Sequence, residues 1–482
     1  MKVRRNLKVI GVTIGTASLL TTNSLSAEEA QNRPNILFMM SDDHTSEAIS
    51  VYNSWLNDYA VTPNIQRLSN EGMHFMNVCC NNSICSPSRA SILTGQYSHK
   101  NGVRGLEGDI NDDSPRFIAE LQKAGYQTSV IGKWHLDSTP KGFDSFQIME
   151  NQGDYFDPTL YTEAYSNDVK DAHEGYSAEV FSDLAMEYIE NCDTSRPFAL
   201  MLQFKATHGQ WQYPDKYNEM FNDVTIPEPE SFFEDIAKTS PHLKARYSFS
   251  DHLFEGNVNV KNEADRKEKS GKYQALIKKF LRTGKALDDN IGRVLDYLDE
   301  NGLSENTIVV YTADQGFWLG QHGFWDKRLI LDTSLKMPLI VRYPKEIETN
   351  SVNTDLCSNV DFPVTFLDYA NVEVPEAMQG KSIRPLLQGN TPEDWRKAIY
   401  YSYYGTPAHY GVRTERYKLI HILRPSGGMD EIEFYDLDND PDEMENQAEN
   451  PEYSAAIAAC EAELAKLKTE LDIKAQDLPR YN

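Results

Sequence analysis

The stretch Asn35-Ile-Leu-Phe-Met-Met40, followed directly by Ser41-Asp42-Asp43-His44, decides the fold of this chain. A short apolar run that ends abruptly in polar residues is typical of a strand buried on both faces of a sheet. Runs of the same kind recur further along the chain, at Tyr126–Ile131, Phe198–Phe204, Thr307–Tyr311 and Leu339–Arg342.

Helical segments alternate with these runs. Thr62-Pro63 and Ser114-Pro115 each predict a helix start, and Gly72 and Gly125 the matching ends. A long amphipathic stretch over 272–298 precedes the run that starts at Thr307, and it predicts a further helix. The alternation predicts an α/β fold, with a large, mostly parallel sheet sandwiched by helices.

The pattern changes after about residue 374. Short aromatic-rich runs separated by turn residues predict a smaller antiparallel sheet at Ala398–Tyr404, Tyr410–Arg413, Tyr417–Ile422 and Ile432–Leu437. A last helix is predicted over 453–471, and the polar segment 208–272 is predicted to be an irregular insertion. We therefore expect an α/β domain over 28–374 and a C-terminal α+β subdomain over 375–482.

Polar side chains follow four of the predicted strands. The first strand leads into Asp42 and Asp43, and the others lead into Gly132-Lys133-Trp134-His135, Lys205-Ala-Thr-His208 and Asp314-Gln315-Gly316. Ligands bind outside the carboxyl ends of the strands in an open α/β sheet, so these groups are expected at one rim. No single group is specific, but their joint placement predicts a functional site.

The acidic residues of this rim have two readings. Taken alone, Asp42-Asp43 is more typical of a turn or helix cap than of a metal site. Taken together, three carboxylates and the Gln315 amide oxygen suit a hard divalent cation, because calcium takes 6–8 oxygen ligands. Carboxylates this close would repel one another strongly without a cation between them.

Composition excludes several classes of protein. The 482 residues include 47 basic and 73 acidic ones, for a net charge of −26, so a nucleic-acid partner is not expected. Four basic residues precede an apolar stretch over 9–20 and a small-residue region that ends at Ala27. This pattern predicts a cleaved signal peptide over 1–27, a periplasmic or secreted protein, and no membrane span after cleavage.

The strongest motif is Cys85-Ser86-Pro87-Ser88-Arg89, followed after four residues by Thr94-Gly95. Its ordinary interpretation is a loop that enters a short helix, with Cys85 buried as a small apolar residue. Here the chain resembles the type I, formylglycine-dependent sulfatases of the alkaline phosphatase superfamily, whose signature it matches at every fixed position. The resemblance extends to Asp42-Asp43, Gly132–His135, His208, Asp314–Gly316, Gly320–Lys327 and Phe434–Pro441.

The resemblance implies a mechanism that composition does not show. A maturation enzyme would oxidise Cys85 to formylglycine (3-oxoalanine), whose aldehyde hydrates to a diol. One hydroxyl of the diol would attack sulfur and release the alcohol of a sulfate ester. The second hydroxyl would then lose its proton, sulfate would be eliminated, and the aldehyde would be restored.

The resemblance also implies a role for each residue of the rim. One Ca²⁺ would be held by Asp42, Asp43, Cys85 in its modified form, Asp314 and Gln315. Arg89 and Lys133 would stabilise the modified Cys85, and Lys327 would pair with a sulfate oxygen. His208 would be the general acid for the leaving alcohol, and His135 the base that starts the elimination.

Two residues depart from the family pattern. Gln315 stands where many relatives carry Asn or His, and Thr207 precedes His208 where Pro is frequent. The prediction is an exported, calcium-dependent sulfatase that acts on a sulfated carbohydrate of unspecified identity. A phosphonate or phosphodiester hydrolase of the same superfamily is one alternative, and a non-catalytic glycan-binding pseudoenzyme is another.

Overall fold

A computed structural model describes residues 33–163, 169–234, 240, 262–424 and 431–480. The predicted signal peptide over 1–27 lies outside the described residues. No helix in the described ranges combines the length and the apolar character needed to cross a bilayer.

The strands follow in chain order. They are β1 Asn35–Ser41, β2 Met73–Phe75, β3 Val78–Cys79, β4 Gln127–Lys133, β5 Ser145–Met149, β6 Thr159–Tyr161, β7 Lys170–Ala172, β8 Phe198–Gln203, β9 Thr307–Ala313, β10 Leu339–Arg342, β11 Ser351–Asn353, β12 Cys357–Ser358, β13 Ala398–Tyr403, β14 His409–Thr414, β15 Tyr417–Ile422 and β16 Glu431–Asp436.

The helices are named in the same way. They are α1 Pro63–Asn70, α2 Cys85–Thr94, α3 Ser98–Asn101, α4 Phe117–Lys123, α5 Ser177–Glu190, α6 Glu263–Glu300, α7 Asp332–Leu335, α8 Asp361–Tyr369, α9 Arg384–Leu387 and α10 Ser454–Glu470.

Ten strands form the large sheet, in the order β11-β2-β10-β9-β1-β8-β4-β5-β6-β7. The five central strands, from β9 to β5, are parallel, whereas β10, β6 and β7 run antiparallel to their neighbours. The α/β prediction is therefore confirmed, with antiparallel strands added toward both edges.

Alternate residues of β1 pack on opposite faces of the sheet, as a doubly covered strand requires. Phe38 and Met40 join a core with residues of α2, α4 and α8, and Leu37 and Met39 join a second core with residues of α1, α5 and α6. The register places Met40 beside both Gln203 and Thr312. The carboxyl ends of β1, β8 and β9 therefore lie at one rim.

The predicted antiparallel sheet is also present. Strands β13 to β16 form a four-stranded antiparallel sheet, and α10 packs on it through Cys460 and Leu464. Tyr401 and Ile420 of the same sheet pack into the larger core. The small sheet is thus fixed between α10 and the rest of the chain.

Two predicted boundaries are wrong. Helix α4 begins at Phe117 rather than at Pro115. Helix α6 begins at Glu263 rather than at Lys272, because the Asn262 side chain accepts hydrogen bonds from two backbone N–H groups of the first turn. The irregular segment after His208 therefore ends earlier than predicted, and residues 235–239 and 241–261 of it lie outside the described residues.

Candidate active site

Three aspartates meet at the rim formed by β1 and β9. Asp42 and Asp43 follow β1, Asp314 follows β9, and one carboxylate oxygen from each lies within 4.8 Å of the others. The backbone N–H of Asp43 donates to Asp314 Oδ1 at 3.2 Å. The sequence prediction that these three carboxylates converge is met by the geometry.

Cys85 is the first residue of α2, and only 1% of it is exposed. Its Sγ lies 3.5 Å from Asp42 Oδ1 and 3.3 Å from Lys327 Nζ. Burial raises the pKa of the thiol to about 11, although Lys327 opposes the shift. An unmodified Cys85 is therefore a neutral thiol at neutral pH, which makes it a poor nucleophile.

Three buried cations surround the carboxylates. Arg89 Nε and Nη2 donate to Asp314 Oδ2 at 3.1 and 3.0 Å. Lys327 Nζ donates to both oxygens of Asp43, at 2.5 and 2.7 Å, and Lys133 donates to Asp42. Each aspartate therefore has its own cationic partner.

Burial sets the electrostatics of these pairs. It raises the pKa of Asp43, with Asp314 adding to the effect and Lys327 opposing it. Burial lowers the pKa of Lys133, whereas the charge of Asp314 and the contact with the Asp42 carboxylate favour its ammonium form. The pKa of Lys327 is raised because Asp43, Cys85 and Asp314 outweigh its own burial.

The chemistry of this set fits a divalent cation. Gln315 Oε1 is buried and meets no hydrogen-bond donor among the described residues, while Gln315 Nε2 donates to Asp43 Oδ1 at 2.5 Å. A buried amide oxygen without a donor is costly, and beside three carboxylates it suits a cation that accepts oxygen ligands. The predicted calcium ligands Asp42, Asp43, Asp314 and Gln315 are thus brought together.

Both predicted histidines lie at the same rim. His208 Nε2 is 3.9 Å from Asp43 Oδ2, and Tyr155 Oη donates to the His208 backbone oxygen at 2.6 Å. Burial lowers the pKa of His208 well below its ordinary value, and it lowers that of His135 to about 2; nearby lysines add to both shifts. Both imidazoles are therefore neutral before an anionic substrate arrives.

Three further residues belong to the site. Gln203, the last residue of β8, accepts from Arg89 Nη1 at 2.8 Å. Gln152 contacts Lys133 and His135, and Lys205 donates to the Gln152 backbone oxygen at 2.9 Å. Lys205 was visible as a strand-end residue, but Gln152 lies in a loop after β5 and belongs to no motif.

Comparison with known proteins agrees with this geometry. Residues 34–372 match the profile of the Sulfatase family, and residues 320–470 match that of the N-sulphoglucosamine sulphohydrolase C-terminal region. An N-acetylglucosamine-6-O-sulfatase of Bacteroides thetaiotaomicron is 38% identical over 507 aligned residues, covering 94% of this chain and 89% of that protein.

Solved structures resemble the chain as well. A protein in complex with its substrate D-glucosamine-2-N,6-O-disulfate superposes with a TM-score of 0.83 at 37% identity, covering 92% of this chain and 99% of its own. A phosphonate monoester hydrolase from Silicibacter pomeroyi gives a TM-score of 0.73 at 22% identity, covering 91% and 95%. The second likeness concerns the fold alone.

Proposed function

We propose that this chain, which belongs to the sulfatase family of the alkaline phosphatase superfamily and is a sulfuric ester hydrolase, removes the 6-O-sulfate from a glucosamine-type sugar. The observation that carries the proposal is the joint one: a complete cluster of acids, cations and histidines around Cys85, in a chain 38% identical to an N-acetylglucosamine-6-O-sulfatase. The same likeness favours a sulfate ester over a phosphorus ester, since the phosphonate hydrolase shares the fold only.

The proposal includes two groups that the chain would acquire. Asp42, Asp43, Asp314 and Gln315 would hold one Ca²⁺, with the modified Cys85 as a further ligand, and the ion would polarise a sulfate oxygen as a Lewis acid. Formylglycine at position 85 would supply a hydrated aldehyde as the oxygen nucleophile that the neutral thiol cannot be.

The cations of the chain bind and orient the sulfate group. Lys327 Nζ lies 3.3 Å from Cys85 Sγ, so it is close to a sulfate group placed next to residue 85. Lys133 contacts the Asp42 carboxylate, which lies 3.5 Å from the same sulfur, and adds a second positive charge to the site. Arg89 fixes Asp314 through two donors to one oxygen. Fixed charges in a buried site stabilise developing negative charge without reorganisation.

The histidines move protons. We assign to His208 the proton that the leaving sugar oxygen takes up, and to His135 the second proton transfer. The lysines near His208 contribute to lowering its pKa. A bound sulfate ester carries a negative charge that offsets these lysines, so substrate binding should raise the pKa of His208 again. The acid form is thus favoured by the substrate itself.

A cavity of about 200 Å³ beside His135 supports a sugar substrate. Its lining is mostly polar and includes Asp137, Glu150, Asn151 and Tyr161. Hydroxyl groups of a sugar ring can exchange hydrogen bonds with such side chains.

Export is part of the proposal. The basic residues, apolar stretch and small residues of 1–27 support a signal peptide, and a periplasmic or secreted location would meet a sulfated glycan outside the cytoplasm. The mature chain would then comprise the 28–374 and 375–482 units.

One experiment tests the nucleophile. The chain is produced with and without a formylglycine-generating enzyme, alkylated, digested with trypsin and analysed by mass spectrometry. The peptide 68–89 contains Cys79, Cys80 and Cys85, so conversion should lower its alkylated thiols from three to two and add one aldehyde. The two other cysteines serve as internal controls. Three alkylated thiols in a protein with full activity would contradict the proposal.

A second experiment tests the substrate. Sulfate release is measured on 6-O-sulfated and 3-O-sulfated N-acetylglucosamine, on N-sulfated glucosamine and on a phosphonate monoester. Release from the 6-O-sulfate alone, or at the highest kcat/KM, is the expected result. Faster turnover of the phosphonate monoester would contradict the proposed substrate and show that a phosphorus ester is preferred.

A further inference from the structure

Gln152, which belongs to no motif, contacts Lys133, His135 and Lys205 of the site. Its Oε1 accepts from Lys133 Nζ at 2.5 Å, its Nε2 lies 3.1 Å from His135 Nε2, and its backbone oxygen accepts from Lys205 Nζ at 2.9 Å. Lys133 and Lys205 are fully or almost fully buried. The Gln152 side chain is therefore held by both ends in one orientation.

The charges decide which end of the amide faces which neighbour. Lys133 Nζ lies against the Asp42 carboxylate, which only accepts, and an ammonium group carries donors alone. In agreement with this, the structure places the Gln152 oxygen, Oε1, toward Lys133 Nζ. The NH₂ group then faces His135, and an NH₂ group can only donate.

This orientation dictates the proton position on His135. A ring nitrogen that receives a hydrogen bond carries no proton, so Nε2 of His135 is the bare nitrogen and Nδ1 carries the hydrogen. Burial and the surrounding cations keep the ring neutral, in agreement with a single proton. His135 Nδ1 is buried and meets no partner among the described residues, so its N–H is available to an oxygen of the bound substrate or nucleophile.

We propose that Gln152 is a positioning residue that fixes the tautomer of His135, with Nδ1 protonated and Nε2 bare. The tautomer itself does not depend on the proposed function, but its consequence for proton transfer during catalysis does. In the resting site His135 donates a hydrogen bond through Nδ1. Nδ1 can act as a base only after the Gln152 amide has flipped, because the amide oxygen then faces Nε2 and the ring proton moves from Nδ1 to Nε2. Movement of Lys133 toward a bound sulfate would release Gln152 Oε1 and permit that turn, which ties proton transfer to substrate binding.

The test reads the tautomer directly. Protein labelled with ¹⁵N-histidine and left with its Cys85 thiol is studied by long-range ¹H–¹⁵N correlation at pH 7.5, and the His135 signals are those lost in His135→Ala. His409 is the internal reference, because its Nδ1 lies 2.7 Å from the Pro407 backbone oxygen and must carry a proton. Wild-type His135 should show a protonated Nδ1, as His409 does, together with a bare Nε2.

Two variants complete the experiment. In Gln152→Glu the carboxylate accepts from both neighbours, so Nε2 of His135 should become protonated, while His409 stays unchanged. In Gln152→Leu neither nitrogen has a partner, so the two His135 nitrogens should show averaged shifts. A wild-type protein with Nε2 protonated, or one pattern in all three proteins, would overturn the proposal. Since the measurement needs no turnover, a wrong substrate would leave it intact.

Discussion

Two buried clusters of charge lie in different parts of the molecule. The catalytic cluster comprises Asp42, Asp43, Asp314, Arg89, Lys133 and Lys327 at the rim of the large sheet. The junction cluster comprises Asp332 of α7 with Arg413, Lys418 and Glu443 of the C-terminal part. In both clusters buried carboxylates pair with buried cations, but the clusters differ in the number of carboxylates and in the groups beside them.

All four carboxylate oxygens of the junction cluster have donors. Lys418 Nζ lies 2.6 Å from Asp332 Oδ1 and 2.5 Å from Glu443 Oε1, Arg413 Nη2 is 3.1 Å from Asp332 Oδ2, and the Asp332 N–H donates to Glu443 Oε2 at 2.6 Å. Burial alone would raise the pKa of Asp332, yet Arg413 and Lys418 hold it well below its ordinary value. Burial raises the pKa of Glu443, which shares Lys418 with Asp332.

The catalytic cluster brings three carboxylates together beside a buried amide oxygen. The pKa of Asp43 is raised by burial and by Asp314, and Gln315 Oε1 nearby has no donor among the described residues. A cluster built for stability alone would not place three acids within 4.8 Å around a bare amide oxygen. The difference agrees with the proposal that the catalytic cluster binds a cation and a sulfate group, whereas the carboxylates of the junction cluster pair with cations of the chain itself.

The largest expected effect comes from Cys85→Ala in the catalytic cluster. Turnover should fall by roughly 10⁴-fold or more, because loss of a nucleophile removes the whole reaction path. The thermal midpoint should move by only a few degrees, since the change removes one buried sulfur atom. Steady-state sulfate release and differential scanning calorimetry measure the two quantities. Appreciable activity in this variant would remove Cys85 from the mechanism.

In the junction cluster the same kind of truncation should act on stability instead. Lys418→Met leaves two buried carboxylates without their shared cation, so the free energy of unfolding should fall by about 3–5 kcal/mol. The kcat of the folded fraction should stay near that of the wild type. Urea unfolding and kinetics check both values.

The matched control is Lys466→Met on α10. Lys466 pairs with Glu463 at 2.9 Å, but more than half of its side chain is exposed, so the change should cost less than about 1 kcal/mol. Equal losses of stability in the Lys418 and Lys466 variants would show that the junction cluster does not stabilise the fold.

Calcium should stabilise the protein through the catalytic cluster. At a calcium concentration of 100 times Kd, binding to the folded state adds about 2.7 kcal/mol to the free energy of unfolding. EDTA should therefore lower the thermal unfolding midpoint, and added calcium should restore it. Asp314→Asn should strongly weaken this response, because one negative charge beside the ion is lost.

Asp440→Asn is the control for calcium. Asp440 lies in an acidic turn near the C-terminus, where its two oxygens accept from the backbone N–H groups of Met444 and Glu445. Its variant should keep the full calcium response. A response lost in Asp440→Asn and kept in Asp314→Asn, or two zinc ions found by elemental analysis, would contradict the assigned site.

The sequence predicted the parts of the site that follow strands. Strand β1 is apolar and ends in two aspartates, so both its burial and its role at the rim can be predicted from the pattern. Gln152 could not be predicted, because it lies in the loop after β5 and reaches the site only through contacts with Lys133 and Lys205. The start of α6 was missed for a local reason: its first turns are strongly charged, and only the capping by Asn262 marks the boundary.

The smallest expected effect separates the two histidines of the catalytic cluster. A sugar alkoxide is strongly basic and needs a proton as the S–O bond breaks, whereas nitrophenolate departs largely without one. His208→Ala should therefore cut turnover of the sulfated sugar by roughly 10²-fold and cost less on nitrophenyl sulfate. His135→Ala affects a later step that both substrates share, so its two losses should be similar. The ratio of rates on the two substrates in each variant is the measured quantity. Equal losses in His208→Ala would contradict its assignment as the acid, and the acid role would then pass to His135.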